Sequence, residues 1–331
     1  MRRLRRALAA CAVLLLSCPL LVCTGAMAQS PDKYPDHTVR LVVPFPPGGP
    51  TDVFARVLSV GLANQLGQQV LIDNRGGAGG NLGTDLVAKS KPDGYTLLFG
   101  TAATHGINIS LYESLPYDPV KDFEAIALCG VVPMVLLVPP QQPRAVQGLV
   151  TRMKAEPGKW SYGSSGNGTT NHLAGELFKK RVGIDVVHVP YRGSGPALQD
   201  LLAGRLAYMF DSFGTSLEHI KAGSLFPLAV MAAKRSTVAP DVPTMAEAGI
   251  PDFEGATWNV VMAPAGTPKE IVDRLNVAVN KALADPTVTE RLKQLGIEKV
   301  DDSTPASTKA FIEAEIKKWR EVVKLAGAHV D

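Results

Sequence analysis

An α/β architecture with largely parallel sheets, divided between two domains, is what this sequence predicts, and three observations point to it. Short β-branched or apolar runs alternate along the chain with segments whose apolar residues recur at helical spacing, which is the signature of strand–helix–strand units. Once an N-terminal leader is set aside, about 300 residues remain, more than one hydrophobic core comfortably serves, in a chain that is 46% hydrophobic. Finally, the apolar run 125–138 is too long for an ordinary strand and carries Pro133 in its middle. A strand that passes from one domain to the other, with the proline at the crossing, accounts for both facts.

Taken in order, residues 1–28 read as an export signal. Met1-Arg2-Arg3-Leu4-Arg5-Arg6 is a basic start, 12–22 a short apolar stretch, and Ala26-Met27-Ala28 a small-x-small cleavage site. The apolar stretch, interrupted by Ser17 and Pro19, falls short of the roughly 20 residues that span a bilayer. Lipidation is the weaker alternative, because Val22 is bulky for the position before Cys23 and Cys18 is followed by further apolar residues. A soluble periplasmic protein is expected.

Strands are expected at 39–45, 69–74, 95–99, 125–138, 159–163, 186–189, 206–210, 227–232 and 257–262. Helical stripes are formed by Val53, Val57, Leu58, Leu62 and Leu66, by Leu173, Leu177 and Phe178, and by Leu198, Leu201 and Leu202. The last third is helical at 269–283, 287–295 and 308–325, broken by Pro286 and by the turn 301–305. With 257–264 as the return crossing, the first domain is expected at 34–128 plus 255–331 and the second at 129–254.

Charge and cysteine usage exclude several classes. The chain has 34 basic and 31 acidic side chains; without the four leader arginines it is close to −1, so no basic surface argues for nucleic acid. Three of the four cysteines lie in the leader, leaving Cys129 alone in an apolar run, where a buried inert thiol is expected and a disulfide framework is ruled out.

The glycine-rich turns were compared with nucleotide fingerprints. Gly77-Ala78-Gly79-Gly80-Asn81-Leu82, Gly166-Asn167-Gly168-Thr169-Thr170-Asn171 and Gly193-Ser194-Gly195-Pro196-Ala197-Leu198 all lack the closing glycine of the dinucleotide motif, and no Walker-type loop exists. Gly163-Ser164-Ser165-Gly166-Asn167 resembles a nucleophile elbow without its last glycine. His37, His105, His172, His188 and His219 are scattered without metal-ligand spacing, and capping or surface roles are expected for them. What remains is a set of helix starts behind small residues: at Thr51 or Asp52 after Val42-Val43-Pro44-Phe45-Pro46-Pro47-Gly48-Gly49-Pro50, at Asn81 after 76–80, and at Thr170 after 164–169. Such starts offer unpaired backbone N–H groups at the positive end of a helix dipole. Two opposed sets across a cleft suit a small carboxylate.

The same residues resemble the Bug receptor family, periplasmic solute-binding proteins associated with tripartite tricarboxylate transport. The likeness runs over nearly the whole mature chain. It includes Tyr34-Pro35, the run Val42 through Asp52, Asp73-Asn74-Arg75-Gly76-Gly77-Ala78-Gly79-Gly80-Asn81-Leu82-Gly83 and Pro92-Asp93-Gly94-Tyr95-Thr96-Leu97. Further on come Tyr162-Gly163-Ser164-Ser165-Gly166-Asn167-Gly168-Thr169, Val189-Pro190-Tyr191-Arg192-Gly193, Val242-Pro243-Thr244-Met245-Ala246-Glu247-Ala248-Gly249 and Ala263-Pro264-Ala265-Gly266-Thr267-Pro268.

The resemblance implies a two-domain periplasmic-binding-protein fold of the type II, Venus-flytrap kind, in which backbone N–H groups and ordered waters hold a ligand carboxylate. Carried over by position, the ligand-binding residues are Phe45, Gly48, Gly49 and Asp52 from the first loop, Ala78 and Gly79 from the second, and Thr101, Ala102 and Ala103 after the third strand. Ser164, Gly168, Thr169 and His172 come from the opposing domain, with Tyr191 and Asp211 deeper in the cleft. Asp211 would face a ligand ammonium or hydroxyl, or else cap the next turn; Arg192 is either a carboxylate clamp or an outward structural arginine.

A receptor for a di- or tricarboxylate, amino acid or aromatic acid is therefore expected. It would be monomeric, with no cofactor or metal, and would serve membrane transporter subunits or a membrane sensor. The competing reading is a secreted serine esterase or amidase using Ser164 or Ser165 with His172.

Overall fold

The computed structural model describes residues 34–330; the expected leader and its cysteines lie outside them. The chain first lays down β1 (Val39–Val43), α1 (Pro50–Leu66), β2 (Val70–Asn74), α2 (Asn81–Ala88) and β3 (Thr96–Thr101). β1 sits between β2 and β3 and is parallel to both. Val39, Leu41, Val42 and Val43 are all fully buried, as a central parallel strand covered on both faces requires. The buried stripe of α1 centres on Phe54, Leu58 and Leu62, with Val53 and Val57 only half-buried, one residue round from the expected stripe. Gly67 closes the helix in the left-handed conformation (φ 68°) and donates to the Ala63 carbonyl, which few other residues do without strain.

After a π-helical turn, Ala103–Ile107, and the short α3 (Asn108–Leu111), the chain enters β4 (Phe123–Val138), 16 residues long. There follow α4 (Val146–Ala155), β5 (Trp160–Ser164), α5 (Thr170–Val182), β6 (Val186–Pro190), α6 (Ser194–Leu202), β7 (Tyr208–Ser212), α7 (Phe213–Lys221) and β8 (Phe226–Val230). The chain returns through β9 (Ala256–Pro264) and ends with α8 (Lys269–Ala284), α9 (Pro286–Gln294), β10 (Glu298–Lys299) and α10 (Pro305–Ala326). Pro286 and Pro305 do not merely separate helices. Each occupies a first helical position, where its missing N–H is not needed, behind the capping side chains of Asp285 and Thr304.

The strands follow one path, β2-β1-β3-β9-β4-β7-β5-β6, with β8 and β10 also on β4. β4 serves two neighbourhoods. From Phe123 to Pro133 it runs antiparallel to β9, and from Met134 to Leu137 it pairs with β7. Pro133, opposite Ala256 at the end of the β9 ladder, is where the strand changes partners, at the one residue without an N–H to donate. The parallel blocks β2-β1-β3 and β6-β5-β7 are thus joined by antiparallel strands. The sheet is mixed rather than largely parallel because outgoing and returning crossings necessarily run in opposite directions.

Packing follows the same division. Leu98, Val260, Met262, Ile312 and Trp319 share one core beside the first block. Along the second half of β4 the side chains alternate. Leu136 and Val138 pack with Tyr162, Phe178 and Phe210, while Val135 and Leu137 pack with Leu198, Leu201 and Phe213 on the other face. Cys129 is fully buried, and burial pushes its thiol well above the usual range, as expected for an inert core cysteine.

Candidate ligand-binding site

The loop between β1 and α1 is held from behind by Asn74 of the neighbouring strand and by Asp52 and Arg56 of its own helix. Asn74, at the end of β2, donates to the Phe45 carbonyl (3.0 Å) and to Asp52 Oδ1 (2.9 Å). Asp52 Oδ2 accepts from the Gly48 N–H (2.9 Å) and from Arg56 Nε (2.9 Å). Burial alone would raise the Asp52 carboxyl, but these bonds to Arg56, Gly48 and Asn74 bring it below its ordinary range. Asp52 therefore braces the loop and does not cap the helix. The N-cap is Gly49, with no side-chain cap and Pro50 behind it. The first-turn N–H groups of Thr51 and Asp52, which have no intrahelical acceptor, are the donors this helix end offers.

Facing it, the loop from β5 to α5 uses Gly166 (φ 131°) and Gly168 (φ 81°) to turn. Ser164 Oγ takes up the Gly166 N–H at 3.1 Å, and Asn171 Oδ1 accepts from the Ser165 N–H (3.2 Å) and hydroxyl (3.0 Å). Thr169 is the N-cap of α5, again without a side-chain cap. Behind this loop His172 Nδ1 accepts from the Gly168 N–H (3.3 Å) and its ring stacks on His188 with centroids 4.2 Å apart. His188 stacks in turn on Tyr162, and Tyr162 on Tyr208. Burial lowers His172 to about 4 and His188 to about 3, so both rings are neutral at pH 7. His105, fully buried behind the wall formed after β3, is lowered by burial to about 3. His105 and His172 are interior groups and His188 is half-buried beside His172, contrary to the capping or surface role expected of the histidines, except that His172 does cap Gly168.

A third helix start closes the site. Gly193 (φ 122°) is the N-cap of α6, and a Cβ there would lie 3.3 Å from Pro46 Cγ of the first loop. Ser194 Oγ donates to Asp211 Oδ1 (3.2 Å) and Thr215 Oγ1 donates to Asp211 Oδ2 (2.9 Å). Asp211 is fully buried, and burial raises its carboxyl to about 6.

These elements enclose a cavity of about 620 Å3, counted with its mouth, whose lining includes Pro46, Gly49, Thr51, Thr169, Asn171, Gly193, Ser194, Asp211, Met134 and Thr257. Among the described residues lining it there is no Lys, Arg or His. Its polar character comes from the N-termini of α1, α5 and α6, small hydroxyl side chains and one carboxyl.

Of the residues singled out in the sequence, Phe45, Gly49, Thr101, Ala103, Thr169 and Asp211 line the cavity. Gly48, Asp52, Ser164, Gly168 and His172 lie immediately behind, shaping the loops. Gly79 and Gly168 also sit where the two rims approach: a Cβ on Gly79 would lie 2.5 Å from the Asn167 carbonyl, and one on Gly168 2.5 Å from Asn108 Oδ1. Ala78 is exposed, Ala102 is buried at the start of the π-helical turn, and Tyr191 hydrogen-bonds Asp200 (2.6 Å); none of the three lines the cavity. Arg192 is exposed and outside it as well.

Sequence reasoning passed over Ser194, Gly195 and Thr257. In the sequence Gly193-Ser194-Gly195 shows itself only as an incomplete nucleotide loop. As for a serine nucleophile, Ser165 is engaged by Asn171, and Ser164 meets His188 Nε2 (2.7 Å) rather than His172, from a position with no exposed surface.

The fold and this cleft are those of a periplasmic binding protein. The periplasmic binding protein BugD matches with a TM-score of 0.86 at 37% identity, over 89% of this chain and 99% of its own. An R. palustris protein solved with adipate matches at 0.87 and 40% identity, over 90% of this chain and all of its own. MatC from Rhodopseudomonas palustris, solved with bound malate, gives 0.84 and 36%, over 88% and 100%. Residues 54–328 match the model of the tripartite tricarboxylate transporter family receptor, and the chain belongs to that family.

Proposed function

We propose that this protein captures a small dicarboxylate in the periplasm and delivers it to the membrane subunits of a tripartite tricarboxylate-type transporter, with a membrane sensor as the alternative recipient. The observation that carries the reading is the convergence of three uncapped helix N-termini on one cavity without a basic side chain. Charge-assisted hydrogen bonds contribute about 1.5–3 kcal/mol each, and a micromolar receptor needs about 8 kcal/mol, so four or five such N–H bonds suffice. The relatives solved with adipate and with malate both hold diacids, which favours a ligand with two carboxylates.

In this reading residues 34–128 with 255–331 form one domain and 129–254 the other. β4 and β9 are the hinge, and closure is a rotation about Pro133 and Ala256. The site comprises the cavity-lining residues and the loop residues behind them. No catalytic step is assigned, and the protein acts as a monomer.

A thermal-shift screen of mono-, di- and tricarboxylates, amino acids and aromatic acids tests this. A true ligand at 100 times its Kd adds about 2.7 kcal/mol of stability. Stabilisation by neutral solutes alone would remove the carboxylate reading. Gly49→Val provides the companion test. The position has φ −82° and only the Pro46 carbonyl, at 3.9 Å, near an added Cβ, so the variant folds. Its isopropyl group fills the anion seat, and affinity is expected to fall at least tenfold. Unchanged affinity would place the site elsewhere.

A further inference from the structure

A carboxyl group is an odd component for an anion site, and Asp211 is in the wall of this one. Its two oxygens accept from Ser194 Oγ and Thr215 Oγ1, and no surface of the residue reaches bulk solvent. Around it β4 supplies Val135 in register, α6 Ser194, and the start of α7 Ser212 and Thr215. α5 carries Glu176 and Lys179, which pair with each other, Lys180 and Arg181 in its last turn, and the neutral His172 at its start. Asp200 of α6 binds Tyr191 and Arg205, and Glu218 of α7 binds Lys221, with His219 on the same helix. Among the described residues no charged side chain is paired with Asp211.

Resting on the receptor reading above, we infer that Asp211 takes up a proton when a dicarboxylate binds, and then donates it in a hydrogen bond to the ligand's distal carboxylate. The physical argument is one of charge. With one carboxylate of the ligand at the N-termini of α1 and α5, the rest of the wall holds the α6 N-terminus, Asp211 and the uncharged Thr101, Ala103, Met134 and Thr257. Two carboxylates facing each other in a closed cavity with no cation cannot both remain ionised. The neutral hydrophobic and hydroxyl surroundings favour the proton going to the buried group, which burial already raises to about 6 against the opposing hydrogen bonds from the Ser212 backbone, Thr215 and Ser194. Ser194 and Thr215 can rotate to suit either form. The proton comes from solvent, and no bond other than O–H is made.

The inference makes the site selective for ligands whose far end accepts a hydrogen bond, and it makes affinity depend on pH. Titration calorimetry with succinate, malate and adipate in phosphate and in Tris, from pH 6.5 to 8.5, measures the protons taken up. The free diacids are ionised throughout that range. Uptake approaching one proton per diacid is expected, with Kd weakening up to tenfold per pH unit. Asp211→Asn is expected to bind with uptake near zero and a Kd flat in pH. The same variant, without ligand, is expected to have a higher Tm than the parent at pH 7.5, because the ionised buried form is gone, and to lose that gain below pH 4.

Diacid binding without proton uptake in the parent protein overturns the inference and leaves the receptor reading intact. Binding of hexanoate but of none of the three diacids also overturns it while sparing the receptor. Failure of every acid to bind removes both. The measurement on the parent protein decides the matter even if Asp211→Asn does not fold.

Discussion

Lowering the pH from 6.5 to 4.5 is expected to remove on the order of 5 kcal/mol of folding stability. The cause is three imidazoles, two of them interior and one half-buried. Burial lowers His105 to about 3, and lowers His172 to about 4 and His188 to about 3, with the neighbouring Lys179 charge adding to the effect at both of the latter. An unfolded chain binds protons at these residues from about pH 6.5 downward, whereas the folded chain does not. Their contribution is therefore complete above 6.5 and drains away as the pH falls toward 4, at about 1.4 kcal/mol per pH unit for each group.

Asp211 works in the opposite sense. Its folded value lies above the unfolded one, so protonation between pH 6 and 4 returns part of the loss. Half-buried His188 contributes less than the other two. The balance is comparable with the whole stability of an ordinary domain, so the fold should be near its midpoint at pH 4.5. Guanidinium melts at pH 7.5, 6.5, 5.5 and 4.5 check this. A free energy that stays level between 6.5 and 5 would refute it, because ordinary carboxylates do not titrate in that interval.

The second large effect is expected from Gly168→Ala. Gly168 has φ 81°, and an added Cβ would lie 2.5 Å from Asn108 Oδ1, 3.0 Å from Leu111 Cδ2 and 3.1 Å from Tyr112 Cε2. The left-handed backbone disfavours alanine by about 1 kcal/mol, and overpacking adds about 1–3 kcal/mol. Across the rim Tyr112 reaches the Asn167 carbonyl (3.4 Å), and on its own side Asn108 is tied to the Gly79 carbonyl (3.1 Å), so the rigid partner cannot simply move aside. If ligand is held only when these loops meet, the overpacking part of the penalty falls on the bound state and affinity drops by roughly 5- to 160-fold. Calorimetry on variant and parent, with circular dichroism to establish that the variant is folded, measures it. An unchanged Kd would mean that the two rims do not touch in the complex.

Much of this arrangement is legible in the sequence, for reasons that are local. Strand and helix alternation, the loop from Pro44 to Asp52 and the over-long strand with Pro133 are all patterns within a dozen residues. What escaped depends on distant partners. That Gly49, and neither Thr51 nor Asp52, caps α1 is decided by backbone torsions and by Asn74 pulling Asp52 away. The mixed sheet follows from β4 and β9, more than a hundred residues apart in the chain. Burial of His105 has no periodic signature, since the π-helical turn that carries it breaks the usual helical spacing. The Gly193 loop could be read as a helix start, but nothing nearby in sequence says that its end faces Pro46.

A seat made of main-chain amides has a consequence for how such a protein changes over generations. Every residue type except proline supplies the same N–H, so no point mutation at Thr51 or Asn171 short of proline deletes the donor itself, whereas a site built on an arginine is lost with one codon. On the proposed reading, affinity for negative charge is thereby inherited with the fold. Side chains such as Met134, Thr257 and Asp211 are free to drift, and a lineage carrying this scaffold can turn from one acid to another without passing through a form that binds none.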